Sequence, residues 1–320
     1  MKLNNESKTL FIPLLGKAIM SKDNIFLHDP KAEEIVENLD YNFSSLKQSK
    51  WLSMYMSLRS LIIDELCNKY LEENKDITII HLGCGLDSRN LRIKKEFKMF
   101  YDIDYESVIN IRKEFYEENN KYKMISSSVT YSNWLNQIKP TKKILIVAEG
   151  LTMYLKEEDL KKLIDDINNK FDNVYFIFDA YTKKGVKASK IKNPVNKLNA
   201  EIKYGIDNPN DFLMLNEDLE YVKTHLIRKD NNNLKGLTKF IFNNLYCGKI
   251  SKSLYKIYEY KLNKEYYEKI FKRNNNNINT IIYVLYISYV CWTYRCNGNG
   301  IFDMGINNSI RFYNNYYIKQ

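Results

Sequence analysis

Between Ile77 and Arg92 the chain reads ITIIHLGCGLDSRNLR, a strand-forming run that breaks into Gly83-Cys84-Gly85 and then into an Asp-Ser-Arg helix start. Glycines at the end of a buried strand adopt backbone angles closed to other residues and let a ligand approach bare backbone, as nucleotide-binding α/β folds require. A Gly-x-Gly pair alone also marks ordinary tight turns. The weight comes from Lys98 to Ile103 (KMFYDI), a second strand-like run that delivers Asp104 to its end, 21 residues after Gly83. A carboxylate at that reach can accept hydrogen bonds from both hydroxyls of a ribose. Alternatively, Asp102 or Asp104 starts the next helix as its N-cap. Position 88 is serine where a third glycine would stand, and Asp87 and Arg89 put charges where a pyrophosphate would meet neutral backbone. A ligand with adenosine but no phosphate therefore fits better than a dinucleotide.

Strands alternating with helices predict a mostly parallel sheet with helices on both faces. The expected strands are Ile77 to Leu82, Lys98 to Ile103, Lys123 to Ser126, Ile144 to Ala148 and Val174 to Phe178, with Leu219 to Arg228 and Leu254 to Leu262 completing seven. A helical region precedes them. In HDPKAEEIVENL, Asp29 is suited to N-cap a helix whose first residue is Pro30. Trp51, Tyr55, Leu58, Ile62, Leu66 and Tyr70 recur at helical spacing and predict one amphipathic helix over Trp51 to Leu71, with Arg59 beside the stripe. Further helices are expected over Leu155 to Phe171 and Leu237 to Tyr246. The lysine-rich segment before Leu219, punctuated by Pro194 and Pro209, reads as a helical cover with loops.

LGCGLDSRNLR (Leu82 to Arg92), DIDYESVINIRKE (Asp102 to Glu114), AEGLTMYLKEEDL (Ala148 to Leu160) and FDAY (Phe178 to Tyr181) resemble, in order, the motifs of the leucine carboxyl methyltransferase superfamily. Within it the chain looks most like the bacterial branch of polyketide-tailoring O-methyltransferases. The resemblance spans most of residues 10 to 262. It implies a Rossmann-like class I fold that binds S-adenosyl-L-methionine, with Gly83, Gly85, Asp87 and Asp104 among the cofactor contacts. It also implies that Arg59 holds the methionine carboxylate, with Lys17 as a second cation. Ser128 stands where many relatives carry an aspartate toward the adenine amino group, and Val129 and Trp134 would be apolar neighbours of the base. Glu149, at the end of the fourth strand, faces the reactive part of the cofactor in this reading, or else caps the helix that follows. Glu149, Tyr154 and Tyr181 are the candidate catalytic residues, and Asp179 belongs to the same edge. KYGIDNP (Lys203 to Pro209) resembles the turn that shapes the acceptor pocket.

The methyl acceptor is open at this stage. A small-molecule hydroxyl or carboxyl oxygen is the main reading, and a protein C-terminal carboxylate is the alternative. A carboxylate acceptor needs no base, whereas an alcohol needs a strong one. His225 could serve as such a base, but a lone histidine in the strand-like LEYVKTHLI is more often structural. The net charge of +10, from 49 basic and 39 acidic residues, keeps a nucleic-acid-binding protein or RNA methyltransferase in view. The lysines, however, interleave with acids as solvated faces do.

Five scattered cysteines and three histidines predict reduced thiols and no metal site. The N-terminus shows no secretory leader, so a cytoplasmic protein is expected, with no membrane partner. The catalytic domain is expected to end at Lys264. The Asn-, Tyr- and Ile-rich residues 265–320 read as an atypical extension whose uncharged run, Ile278 to Tyr294, is at the lower limit of a membrane span.

Overall fold

The computed structural model describes residues 3–139, 141–191, 195, 198–227 and 234–263. Pro194, Arg228 and the run from Ile278 to Tyr294 lie outside the described residues. The seven strands are β1 (Ile77–Leu82), β2 (Met99–Asp104), β3 (Tyr122–Ser126), β4 (Lys143–Ala148), β5 (Asn173–Tyr181), β6 (Leu219–His225) and β7 (Tyr255–Asn263). They form one sheet in the order β3-β2-β1-β4-β5-β7-β6. β1 to β5 run parallel, and β7 runs antiparallel between β5 and β6.

The eleven described α-helices are α1 (Asn5–Lys8), α2 (Phe11–Lys22), α3 (Pro30–Asn38), α4 (Lys50–Glu73), α5 (Arg89–Arg92), α6 (Glu106–Arg112), α7 (Glu157–Lys170), α8 (Lys183–Ser189), α9 (Pro209–Leu213), α10 (Gly236–Leu245) and α11 (Lys249–Lys252). Asp29 caps α3 by accepting the Ala32 N–H, with Pro30 next, where its missing N–H costs nothing.

All six residues of β1 are buried, as expected of a central parallel strand covered on both faces. Its side chains alternate between two cores. Ile77 and Ile79 pack with Leu145, Val147 and the α4 residues Leu58 and Ile62. On the other face, Ile80 and Leu82 pack with Ile144, Ile146 and the α7 residues Leu160, Leu163, Ile164 and Ile167. Each such side chain contributes roughly 1.5–3 kcal/mol when fully buried.

β6 ends at His225, short of the expected Arg228, because its pairing with β7 stops at His225 opposite Ile257, and three further features differ from the sequence reading. β5 runs on to Tyr181 because β7 pairs along its whole length, from Asn173 opposite Asn263 to Tyr181 opposite Tyr255. Asp179 is therefore inside a central strand. The helix expected from Leu155 begins at Glu157, because Thr152–Tyr154 forms a 3-10 turn and Leu155 is extended. Helix α4 is not simply amphipathic: besides its apolar stripe it buries Arg59, Ser60 and Asp64. No helix among the described residues is long and apolar enough to cross a membrane.

Ile164 is fully enclosed between α7 and the sheet. Ile164→Ala should lower unfolding stability by about 2–5 kcal/mol, because the rigid sheet beneath cannot collapse into the space left. Denaturant titration measures this directly.

Candidate active site

The chain moves outward from β1 through β2 to β3, then returns to the other side of β1 at β4. The loops leaving β1 and β4 must therefore diverge, which opens a crevice at the carboxyl edge of the sheet. Gly83 and Gly85 leave β1 with φ of +61° and +52°, and Gly150 leaves β4 with φ of +68°. A Cβ on Gly83 would lie 2.9 Å from the Leu151 side chain of the opposite loop. At their roots, before they diverge, the two loops thus touch at a position whose left-handed backbone favours glycine.

A cavity of about 500 Å³ fills this crevice. Arg59, Gly83, Gly85, Asp87, Asp104, Val129, Glu149, Tyr154 and Tyr181 all border it, and so does Lys17. The structure thus brings together nearly all the residues singled out from the sequence. Ser127, not Ser128, is the bordering serine, and the Ser128 hydroxyl is 2.9 Å from that of Thr130. Trp134 is fully buried core, its indole N–H donating to the Val129 carbonyl. His225 lies at the far edge of the sheet, 2.6 Å from Glu259.

Asp104 is not an N-cap, since α6 starts after Tyr105 without a side-chain cap bond. Its carboxylate accepts the backbone N–H of Gly85 at 2.8 Å and that of Tyr105 at 2.7 Å. Burial pushes its pKa up to about 6, against the lowering effect of those two backbone bonds. Glu149 shows the opposite balance. Its Oε1 accepts from Arg59 Nε and Nη2 at 3.0 and 2.7 Å and from the Ser60 hydroxyl at 2.8 Å, while Oε2 accepts from Arg89. Burial alone would raise its pKa, yet the Arg59 and Arg89 guanidiniums hold it well below the usual carboxylate range. Glu149 therefore anchors α4 and α5 and does not cap α7.

The pairing extends outward. Asp179 accepts the Gly150 N–H at 2.6 Å and the Tyr255 hydroxyl, and lies 3.1 Å from Arg59. Asp87 is shared among Lys17, Arg89 and Arg92. Asp64 binds both Arg89 and Arg92 at 2.7 Å, and Asp29 binds Arg92 at 2.9 Å. Among the described residues, four cations (Lys17, Arg59, Arg89, Arg92) thus meet five carboxylates (Asp29, Asp64, Asp87, Glu149, Asp179), a surplus of negative charge beside the cavity. Sequence reasoning missed Asp64 and Tyr255. Their signals were an acidic residue near the apolar face of a long helix and a tyrosine opening the last strand.

Residues 13–168 match the leucine carboxyl methyltransferase family. The chain is 30% identical over 211 residues to a tetracenomycin polyketide synthesis O-methyltransferase, TcmP, of Streptomyces glaucescens, covering 65% of this chain and 78% of that protein. It is 31% identical over 186 residues to the S-adenosyl-L-methionine-dependent methyltransferase dpfgK of Gibberella zeae, covering 53% and 62%. The magnesium protoporphyrin IX methyltransferase of Synechocystis PCC 6803, solved with bound SAH, superposes with a TM-score of 0.43 and 11% identity over 72% of this chain and 93% of that one. The fold and its crevice, with these sequence relatives, define a Rossmann-like methyltransferase that depends on S-adenosyl-L-methionine. The chain belongs to the leucine carboxyl methyltransferase family.

Asp64 does not border the cavity, so it tests the ionic network apart from any ligand. Asp64→Ala leaves two buried arginines short of a partner and should cost about 3–5 kcal/mol in denaturant unfolding. The sign with pH follows from the depressed pKa values of Asp87 and Glu149. Their contribution is complete above the ordinary carboxylate range and is lost as pH falls below it.

Proposed function

We propose that the protein transfers a methyl group from S-adenosyl-L-methionine to an acidic oxygen, a carboxylate or a phenol, of a small apolar molecule. The observation that carries this reading is the switch-point cavity, with Asp104 at one end and the Glu149–Arg59 pair at the other. The residues fit the cofactor in three respects. Gly83 and Gly85 leave backbone bare, the Asp104 carboxylate suits a ribose diol, and the surplus of negative charge suits a cation. When bound, the cofactor supplies a methyl group already activated by the adjoining sulfonium charge.

In this reading Gly83, Gly85 and Asp104 hold the ribose side, and Val129 and Ser127 flank the adenine. Arg59 takes the carboxylate, with Lys17 and Asp87 close by. Its guanidinium is already oriented by Glu149, Tyr255 and Asp179, so little ordering is needed on binding. Glu149 is a fixed negative charge, because a carboxylate held so far below its usual range is a weak base. Burial raises the Tyr154 phenol, which therefore stays protonated at neutral pH and serves as a donor or a wall. Neither residue suits the deprotonation of an aliphatic alcohol. The chain's remaining task is to position and desolvate an acceptor that ionises on its own.

Aromatic and aliphatic side chains such as Tyr55, Met56, Tyr246 and Leu254 line the rest of the cavity, which supports an apolar acceptor. TcmP, named for polyketide synthesis, agrees with a small-molecule acceptor. We take the catalytic domain to close with β7 and residues 265–320 to be an extension of it.

Two measurements test the cofactor site. Affinity for S-adenosyl-L-methionine, read by calorimetry, should weaken as pH falls through about 6, where Asp104 gains its proton and loses acceptor capacity. Asp104→Asn should bind about 10-fold to 150-fold more weakly at neutral pH and lose that pH dependence. Flat affinity across this range in the unaltered protein would remove Asp104 from the site. Arg59→Ala, in turn, should weaken S-adenosyl-L-methionine far more than adenosine, which has no carboxylate. Equal losses for the two ligands would make Arg59 structural only.

A further inference from the structure

Helix α10 carries five large apolar side chains in ten residues (Leu237, Phe240, Ile241, Phe242, Leu245), yet only Phe242 among them is buried. Phe242 is fully buried and stacks on Tyr246, which packs in turn against Trp51 and Tyr55. On the opposite side Leu237 is 73% exposed and Phe240 67%, while at the end of the helix Leu245 is 63% exposed and Ile250 of α11 follows at 75%. A helix apolar on both sides normally has both sides covered. Clustered exposure of large apolar side chains marks an interaction surface. Between residues 234 and 255 there are four lysines (Lys235, Lys239, Lys249, Lys252) and no aspartate or glutamate.

We propose that the α10–α11 face docks onto an anionic phospholipid membrane, with Leu237, Phe240, Leu245 and Ile250 entering the acyl boundary and the lysines meeting the headgroups. The exposed side chains lie together on one short helix and the turn that follows it, a placement suited to insertion among lipid chains. A lysine stem lies along apolar surface while its ammonium reaches the headgroup phosphates. The absence of acids across the segment gives the charge complementarity that an anionic leaflet rewards, at close range and with salt sensitivity. The same elements form the rim of the cavity, which Leu245, Tyr246, Ile250 and Leu254 border. An apolar acceptor dissolved in the bilayer would thus reach the cavity without crossing water. That route rests on the functional reading above, whereas membrane attachment does not. The attachment is peripheral and departs from the sequence expectation of no membrane partner.

The test is sedimentation of the full-length protein with two kinds of vesicle, phosphatidylcholine alone and phosphatidylcholine mixed with phosphatidylglycerol. The protein should sediment with the mixed vesicles, be released by salt, and bind poorly to phosphatidylcholine alone. The double variant Leu237→Ser, Phe240→Ser should reduce binding roughly tenfold or more, because it removes most of the inserting surface. A second variant, Lys235→Glu with Lys249→Glu, alters only exposed side chains and should do the same. It decides the matter if circular dichroism shows the serine variant unfolded. Undiminished binding by the folded variants would assign attachment to another part of the chain, such as residues 265–320, and overturn the proposal. Failure to sediment with either vesicle would overturn it in favour of a protein partner. Neither outcome depends on methyl transfer, so the result stands apart from the cofactor measurements.

Discussion

A guanidinium and a carboxylate gain little from each other in water, and taking both out of water costs several kcal/mol per ion unless every charge finds more than one partner. The pairs around Arg89 and Arg92 meet that condition. Arg89 binds Asp64, Asp87 and Glu149, and Arg92 binds Asp64, Asp87 and Asp29. Those acids come from the start of α3, the middle of α4, the glycine loop and the end of β4. The lattice therefore locks the N-terminal helices against the carboxyl edge of the sheet. Elsewhere α4 is joined to the sheet by apolar packing and a few single hydrogen bonds, such as those of Arg59 and Tyr70 to Tyr255 and Glu259 of β7. Directional bonds therefore join the walls of the cavity.

The same lattice separates two carboxylates that border one cavity. Glu149 faces cations on both oxygens and is held ionised. Asp104 has backbone amides as partners, and burial outweighs them, so its proton is held more tightly than in water. Neighbouring environments thus give one acid a fixed charge and make the other sensitive to pH near 6. Asp179 is a third case. Its pKa is raised by burial despite the nearby Arg59, and from within β5 it orients Gly150, Tyr255 and Arg59.

The hydrophobic part of the fold was readable to within a residue or two over most strands. β1 falls on Ile77–Leu82 as expected, and β7 shifts by a single residue to Tyr255–Asn263. β5 was read short at Phe178 because its last three residues are extended by pairing with β7, about 75 positions away in the chain, which local pattern cannot anticipate. Asp104 was legible because the spacing from glycine to acid is set by one helical turn-back between adjacent strands. Asp64 was not, because its partners Arg89 and Arg92 lie 25 and 28 residues further along the chain.

Local sequence by itself determined the alternation of strands and helices, the glycine turn after β1, and the Asp29–Pro30 start of α3. These follow from side-chain periodicity, backbone freedom and capping, all of which act within a few residues. Only the tertiary structure decided which charges pair, and hence which carboxylate is held ionised and which has its pKa raised. It also decided that Ser127 borders the cavity while Ser128 turns to Thr130, and that one apolar side of α10 is covered while the other is exposed. The physical reason is range. Coulombic pairing and burial depend on distances between elements remote in the chain, and those distances are fixed only once the sheet has set where each loop emerges.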